Sequence, residues 1–197
     1  MNAVIGLIAD THIPDAARAL PVAVERVFRS AGVCCILHAG DIIVPSVLQR
    51  LGALAPVYAV RGNRDMFAGR DLPRQQELTL HGVRIGLTHG HGPWRRYLKD
   101  KLGYLVLRRA PAYTTYIQRA LATFPQADVV VFGHTHYPCV GRFEGRWVIN
   151  PGSPLGRDAV PGSVGLLHVR NGYVLPEIVF LPAATKQNPR ARRTMNT

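Results

Sequence analysis

Two short stretches of this 197-residue chain carry metal-ligand side chains two positions apart, Asp10-Thr11-His12 and His134-Thr135-His136. In an extended backbone residues i and i+2 point the same way, so one carboxylate and three imidazoles would be presented from the ends of two strands. Three more stretches finish on the same kind of residue: His38-Ala39-Gly40 leads to Asp41, Arg61-Gly62 to Asn63, and Thr88 to His89. Seven donors are more than one ion uses, whereas two ions sharing a carboxylate need about this number and keep positions for water and substrate. The mixture of imidazole, carboxylate and amide suits manganese, iron, zinc, cobalt or nickel better than calcium, and does not choose among them.

The elements that must position these donors are legible around them. Apolar, β-branched runs at 4–8, 33–37, 57–60, 83–87 and 129–132 precede the five stretches and read as buried strands. Each donor therefore follows the carboxyl end of a strand. Parallel pairing would bring those ends to one edge, the usual place of a ligand site in open α/β architecture. Pro21, the spacing of Val24, Val27, Phe28 and Ala31, and Gly32 as terminator predict a helix between the first two strands, and 44–51 repeats the pattern. Later, His81-Gly82, Glu144-Gly145 and Asn171-Gly172 each separate two strand-like runs and predict hairpins. The fold class expected is α/β, with a mixed sheet or a pair of packed sheets and helices outside. Residues 94–121 form the long segment without strand character, divided by Pro111 into two helices that act as a lid or a cover.

In order along the chain, Asp10-x-His12, Gly40-Asp41, Gly62-Asn63-Arg64-Asp65, Thr88-His89-Gly90-His91, Gly133-His134-Thr135-His136 and Asn150-Pro151-Gly152-Ser153 resemble the motifs of the calcineurin-like metallophosphoesterases, in particular their small bacterial and archaeal phosphodiesterase branch. The resemblance runs over 3–167 and implies a four-layer α-β-β-α sandwich of two mixed sheets with helices outside. It implies that Asp10, His12, Asp41 and His136 hold one ion and Asp41, Asn63, His89 and His134 a second, with Asp41 bridging. Manganese is the first expectation for both ions, with iron, zinc, nickel or cobalt as alternatives. Such a pair generates hydroxide from a shared water near neutrality and stabilises the in-line transition state, so no protein nucleophile is required. The chain departs from many larger relatives in carrying Arg64 where they have a histidine suited to protonating the leaving oxygen. Arginine cannot be that acid, but it can grip phosphate in a forked geometry. Phosphodiesters are therefore expected over monoesters, with His91 either the nearest replacement proton donor or a hydrogen-bonding support beside the metal-ligating histidines.

Composition bounds the rest. The formal charge of +12 favours polyanions in general, including nucleotide-like substrates and nucleic acid. Part of that charge falls in 183–197, through Lys186, Arg190, Arg192 and Arg193, and this basic stretch is expected to be a disordered tail after a domain spanning 1–182. Arg95, Arg96, Lys99, Lys101, Arg108 and Arg109 read as a solvated helix face. Three cysteines, two of them adjacent, do not make a disulfide framework, and the start lacks the basic region and long apolar core of a signal peptide, so a cytoplasmic location is expected. No apolar run approaches membrane-spanning length, and no membrane association is expected; a homo-oligomer is left open. His38, His81 and His168 are set aside as structural or surface residues, Asp65 as a supporting carboxylate, and 150–153 as a turn beside the site. Two other functions remain in view: a non-catalytic scaffold like the retromer subunit of the same fold, and a nucleic-acid-binding nuclease.

Overall fold

A computed structural model describes residues 2–65, 69–107 and 111–182. The predicted tail at 183–197 and the basic residues Arg108 and Arg109 lie outside the described residues. Among those described, the chain forms two five-stranded mixed sheets. In the first, β1 (Asn2–Ile8), β2 (Cys35–His38) and β3 (Val57–Ala59) are parallel, while β9 (Ser163–Arg170) and β10 (Tyr173–Phe180) complete the order β10-β9-β1-β2-β3. In the second, β4 (Gln75–Leu80), β5 (Val83–Thr88), β6 (Val129–Val131), β7 (Cys139–Phe143) and β8 (Arg146–Asn150) take the order β4-β5-β6-β8-β7, with β5, β6 and β8 parallel.

The two-residue period of the strands explains the layering. In β1, Ile5 and Leu7 point into the core between the sheets, where they join Ile85, Leu87, Val129 and Val131 of the second sheet. Ile8 and the face above Gly6 turn the other way, against helix α1 (Val22–Ala31). A Cβ on Gly6 would lie 3.1 Å from the ring of fully buried Phe28, so that packing depends on glycine. Helix α2 (Pro45–Gly52) adds Val47 and Leu51 to the same outer core. On the opposite flank Val130 and Val148 of the second sheet, with Phe132 just past β6, pack against Ile117, Ala120 and Leu121 of α4 (Tyr113–Thr123). Strands buried on both faces read as unbroken apolar runs, which is how they look in the sequence. The order of layers is helix, sheet, sheet, helix.

The predicted helices and hairpins occupy the expected segments. Gly32 ends α1 in a left-handed conformation, with its N–H bonded to Arg29 O at 3.1 Å and that of Val33 to Phe28 O at 3.2 Å. All three hairpins turn on two successive residues of positive φ, as a tight right-twisting turn requires: His81-Gly82, Glu144-Gly145 and Asn171-Gly172. Helix α3 (Trp94–Leu107) and α4 occupy the connection from β5 to β6. Leu98, Leu102 and Leu105 of α3 are exposed. No helix among the described residues is long and apolar enough to cross a membrane.

One expectation is corrected. The five donor-bearing strands do not share one sheet edge: β1, β2 and β3 lie in one sheet and β5 and β6 in the other. Their carboxyl ends still meet, because the sheets stack and the loops beyond them bond across the interface. Asp10 Oδ2 accepts the His134 N–H at 2.8 Å, and His89 Nδ1 reaches Ala39 O at 2.8 Å.

Candidate metal centre

The seven predicted donors converge just beyond those strand ends, but not through an extended backbone. Asp10, His12, Asp41, His134 and His136 all have positive φ, between 46° and 74°. The i, i+2 pairs thus meet by local left-handed turns rather than by the pleat. A non-glycine residue held in a sparsely populated region costs about 1–3 kcal/mol and persists only when its surroundings dictate it. Here they do. Asp10 N donates to Gly40 O at 3.0 Å and His12 N to Asp41 O at 3.1 Å, while Ser153 Oγ donates to Asp10 O at 2.8 Å. Gly62 is also imposed by the site, since a Cβ there would collide with Asp41 Oδ1.

The donors fall into two groups around Asp41. His12 Nε2 lies 3.5 Å from Asp41 Oδ2, 3.7 Å from Asp10 Oδ1 and 3.1 Å from His136 Nε2, which is itself 3.6 Å from Asp10 Oδ1. On the other side His89 Nε2 lies 3.4 Å from Asp41 Oδ1, and Asn63 Oδ1 sits 3.0 Å from His89 Nε2 and 2.9 Å from His134 Nδ1. The two oxygens of Asp41 therefore face different groups. Asp10 contributes to both clusters of carboxylate and imidazole donors that could hold a metal ion, Asp10-His12-His136 and Asp10-Asp41-His89.

These residues fit divalent cations on three grounds. Asp10 Oδ1 is buried without a hydrogen-bond partner, and such an atom costs about 1–3 kcal/mol or more unless something positive meets it. His89 donates from Nδ1 to Ala39 O, which directs Nε2 at Asn63 Oδ1 and Asp41, the arrangement that orients a ligating histidine. Third, two of the ring nitrogens, those of His134 and His136, are kept unprotonated as a ligand must be. Burial, then the charge of His89, pushes His134 down to about 3, and burial lowers His136 despite Asp10 nearby. Burial also opposes protonation of His89, but Asp41 and Asp10 outweigh it and raise that group. At Asp10 burial alone would raise the carboxyl, yet the imidazole of His12 at 3.7 Å and the charges of His89 and His136 hold it at about 2. The same negative field attracts a cation.

A supporting shell fixes the loops. Asp65, 1% exposed, accepts four backbone N–H groups: Asp41 at 2.9 Å and Gly62 at 2.8 Å on Oδ2, Ile42 at 2.8 Å and Ile43 at 2.7 Å on Oδ1. One carboxylate thereby ties the Asp41 loop to the Asn63 loop. His38 accepts the Gly40 N–H on Nδ1 at 3.2 Å, so its proton sits on Nε2, facing Thr11 Oγ1 at 3.3 Å; that hydroxyl donates to Asp41 O at 3.3 Å. Asn150 Nδ2 holds Gly133 O at 3.0 Å, which places the turn at 150–153 under the His134 loop.

The two residues expected to act on substrate part company. Arg64 stands at the mouth of a cavity of about 430 Å³ above the donors, its backbone N–H on Asp41 Oδ1 at 2.8 Å and its guanidinium on Asp15 Oδ2 at 2.8 Å. His91 lines a different pocket, with its ring 5.3 Å from that of His89 and 6.3 Å from that of His134. Burial, then the charge of His89, holds it down at about 3, and its Nδ1 is buried without a hydrogen-bond partner among the described residues.

The sequence of the chain matches the model of the calcineurin-like phosphoesterase superfamily domain over residues 4–172. The chain belongs to this superfamily. A relative named as a probable metallophosphoesterase, from Methanothermobacter thermautotrophicus, is 35% identical over 189 residues, covering 96% of this chain and 99% of its own. The fold is shared with Vacuolar Protein Sorting 29 of Cryptosporidium parvum, at 21% identity and a TM-score of 0.66 over 92% of this chain and 99% of that one. It is shared also with a structure described as a novel archaeal phosphodiesterase, at 21% identity and a TM-score of 0.61 over 89% of this chain and 99% of that one.

Within this superfamily member, sequence reasoning missed Asp15 and Arg157, which flank the cavity with Arg64. Neither sits in a recognisable motif. Asp15 carried the one available signal, since it lies three residues past His12 on the same loop.

Proposed function

We propose that the protein is a metal-dependent phosphodiesterase that uses two divalent cations, manganese first among them. The observation that supports this most is the division of Asp41, whose two oxygens face separate donor groups. Asp10, His12 and His136 would hold one cation with Asp41; Asn63, His89 and His134 would hold the other. When bound, the cations supply Lewis-acid charge and lower the pKa of water. Everything else falls to the chain. Ser153, His38 and Asp65 keep the donors at fixed spacing, so little reorganisation accompanies substrate entry. Arg64 offers its remaining N–H groups to the non-bridging phosphate oxygens from the cavity mouth. Among the described residues the histidines that line the cavity with Arg64, namely His12, His134 and His136, are all proposed metal donors, which leaves none of them to protonate a poor leaving group and favours diesters with good ones. Cys34, Cys35 and Cys139 are all free thiols, which suits a reducing, cytoplasmic setting.

A scaffold with this fold is the alternative, because a fold does not establish catalysis. The complete donor set argues for the enzyme. The test is a screen of manganese, zinc, nickel, cobalt and iron against activated phosphodiesters and monoesters, repeated on Asp41→Asn and His89→Ala. Diester hydrolysis that disappears in both variants is expected; wild-type protein inert with every metal would leave the scaffold.

A further inference from the structure

Beside the metal centre, between α3, α4 and the loop after His136, lies a groove of about 560 Å³. Its walls include the rings of Tyr97, Tyr113, Tyr116 and Tyr137. Arg64, His134 and Arg157 line both this groove and the cavity over the donors, so the two are continuous. Tyr116 lies 5.3 Å and Tyr97 6.1 Å, ring centre to ring centre, from His134. The aromatic wall therefore begins in contact with a donor of the centre itself.

The polar edges of two of these rings are committed. Tyr113 donates its hydroxyl to Tyr137 O at 3.0 Å, and the Tyr137 hydroxyl bonds Asp158. What these rings offer a ligand is their faces. Cations stand over three of the four rings: Lys101 at 6.0 Å from Tyr97, Arg119 at 5.4 Å from Tyr116 and Arg157 at 5.8 Å from Tyr137. Arg119 is paired with Asp100 and Arg157 with Asp158, but the lining cations Arg64, Lys101 and Arg157 outnumber the lining carboxylate Asp100, so the groove keeps a positive field. Aromatic faces under positive charge, opening onto a phosphate-handling centre, match one ligand chemistry: a planar base joined through a sugar to phosphate. The groove has the size of a small-molecule pocket, which suits one nucleotide rather than a strand.

We propose that the Tyr97–Tyr113–Tyr116–Tyr137 groove is a base-binding subsite that makes a nucleotide ester the preferred substrate. The proposal rests on the phosphodiesterase reading for its consequence, but not for its test. Binding of AMP and of ribose 5-phosphate to the full-length, manganese-loaded protein is measured by calorimetry; the two ligands share the phosphate and differ in the base. AMP is expected to bind at least about tenfold more tightly, the modest end of what base stacking on an aromatic side chain contributes. The advantage should shrink several-fold in Tyr116→Ala and in Tyr137→Ala, the second a partly exposed ring whose removal leaves the cores intact. Equal affinities in the wild type would overturn the subsite, and an advantage unchanged in both variants would overturn its location. Tighter binding of a single-stranded tetranucleotide than of AMP would overturn the restriction to one nucleotide. Hydrolysis of an activated diester, assayed in parallel, separates the two claims: base-dependent binding without hydrolysis defeats the enzyme reading alone, and hydrolysis without base dependence defeats the subsite alone.

Discussion

Replacing Asp65 by asparagine keeps the shape of the side chain and removes half of what it does. In the wild type each carboxylate oxygen accepts two backbone N–H groups, from Asp41 and Gly62 on one side and Ile42 and Ile43 on the other. Whichever way the amide of Asp65→Asn turns, its NH₂ faces two buried N–H donors, and both bonds are lost. A bond to a charged acceptor contributes about 1.5–3 kcal/mol, so even with relaxation the change should cost about 3 kcal/mol. With a urea dependence of about 2 kcal/mol per M for a chain of this size, the unfolding midpoint of metal-free protein should fall by about 1.5 M. Because the lost bonds position Asp41 and the Asn63 loop, manganese affinity measured by calorimetry should weaken by about 10–100-fold. A midpoint shift below about 0.3 M together with unchanged metal affinity would refute the idea that this carboxylate joins the two loops.

Other outcomes follow from the same geometry. His38 is held neutral, since burial brings it from its ordinary 6.5 down to about 4. Between those values the unfolded chain binds a proton there that the folded chain does not, so stability falls as pH is lowered through that window, by about 3 kcal/mol. Urea unfolding of metal-free protein at stepped pH should show a shallower slope for His38→Gln; an identical slope would remove His38 as a cause. Gly62→Ala should lower manganese affinity by at least about tenfold, because its methyl would occupy the place of Asp41 Oδ1. Arg64→Ala should reduce kcat/KM for an activated diester by about 10–100-fold, and unchanged kinetics would exclude a role in gripping phosphate. His91→Ala should lower turnover equally on activated and unactivated diesters; a selective loss on the unactivated ones would mark it as the proton donor.

Much of this was legible in the sequence for a physical reason. A central strand buried on both faces must be continuously apolar, and 129–132 shows it, with Val129 and Val131 facing one core and Val130 and Phe132 the other. Asn171-Gly172 announces its hairpin because both residues tolerate positive φ. The donors were visible because each follows such a strand. What the sequence hid was how they meet. Left-handed backbone at Asp10, His12, His134 and His136 carries no local signature, since it is imposed by contacts such as Ser153 with Asp10, 143 positions apart. Asp65 reads as a supporting carboxylate from the sequence, but its four N–H partners, drawn from two loops, do not. Lys101, which reads as part of a solvated helix face, turns out to stand over Tyr97 in the groove, and only the fold of the 94–121 segment brings Tyr97, Tyr116 and Tyr137 together.

The most direct test is anomalous diffraction from a crystal of the protein grown with manganese. Two anomalous peaks are predicted, one among Asp10, His12 and His136 and one among Asn63, His89 and His134, each within bonding distance of an Asp41 oxygen. A single peak, or peaks that leave Asp41 uncoordinated, would contradict the binuclear centre.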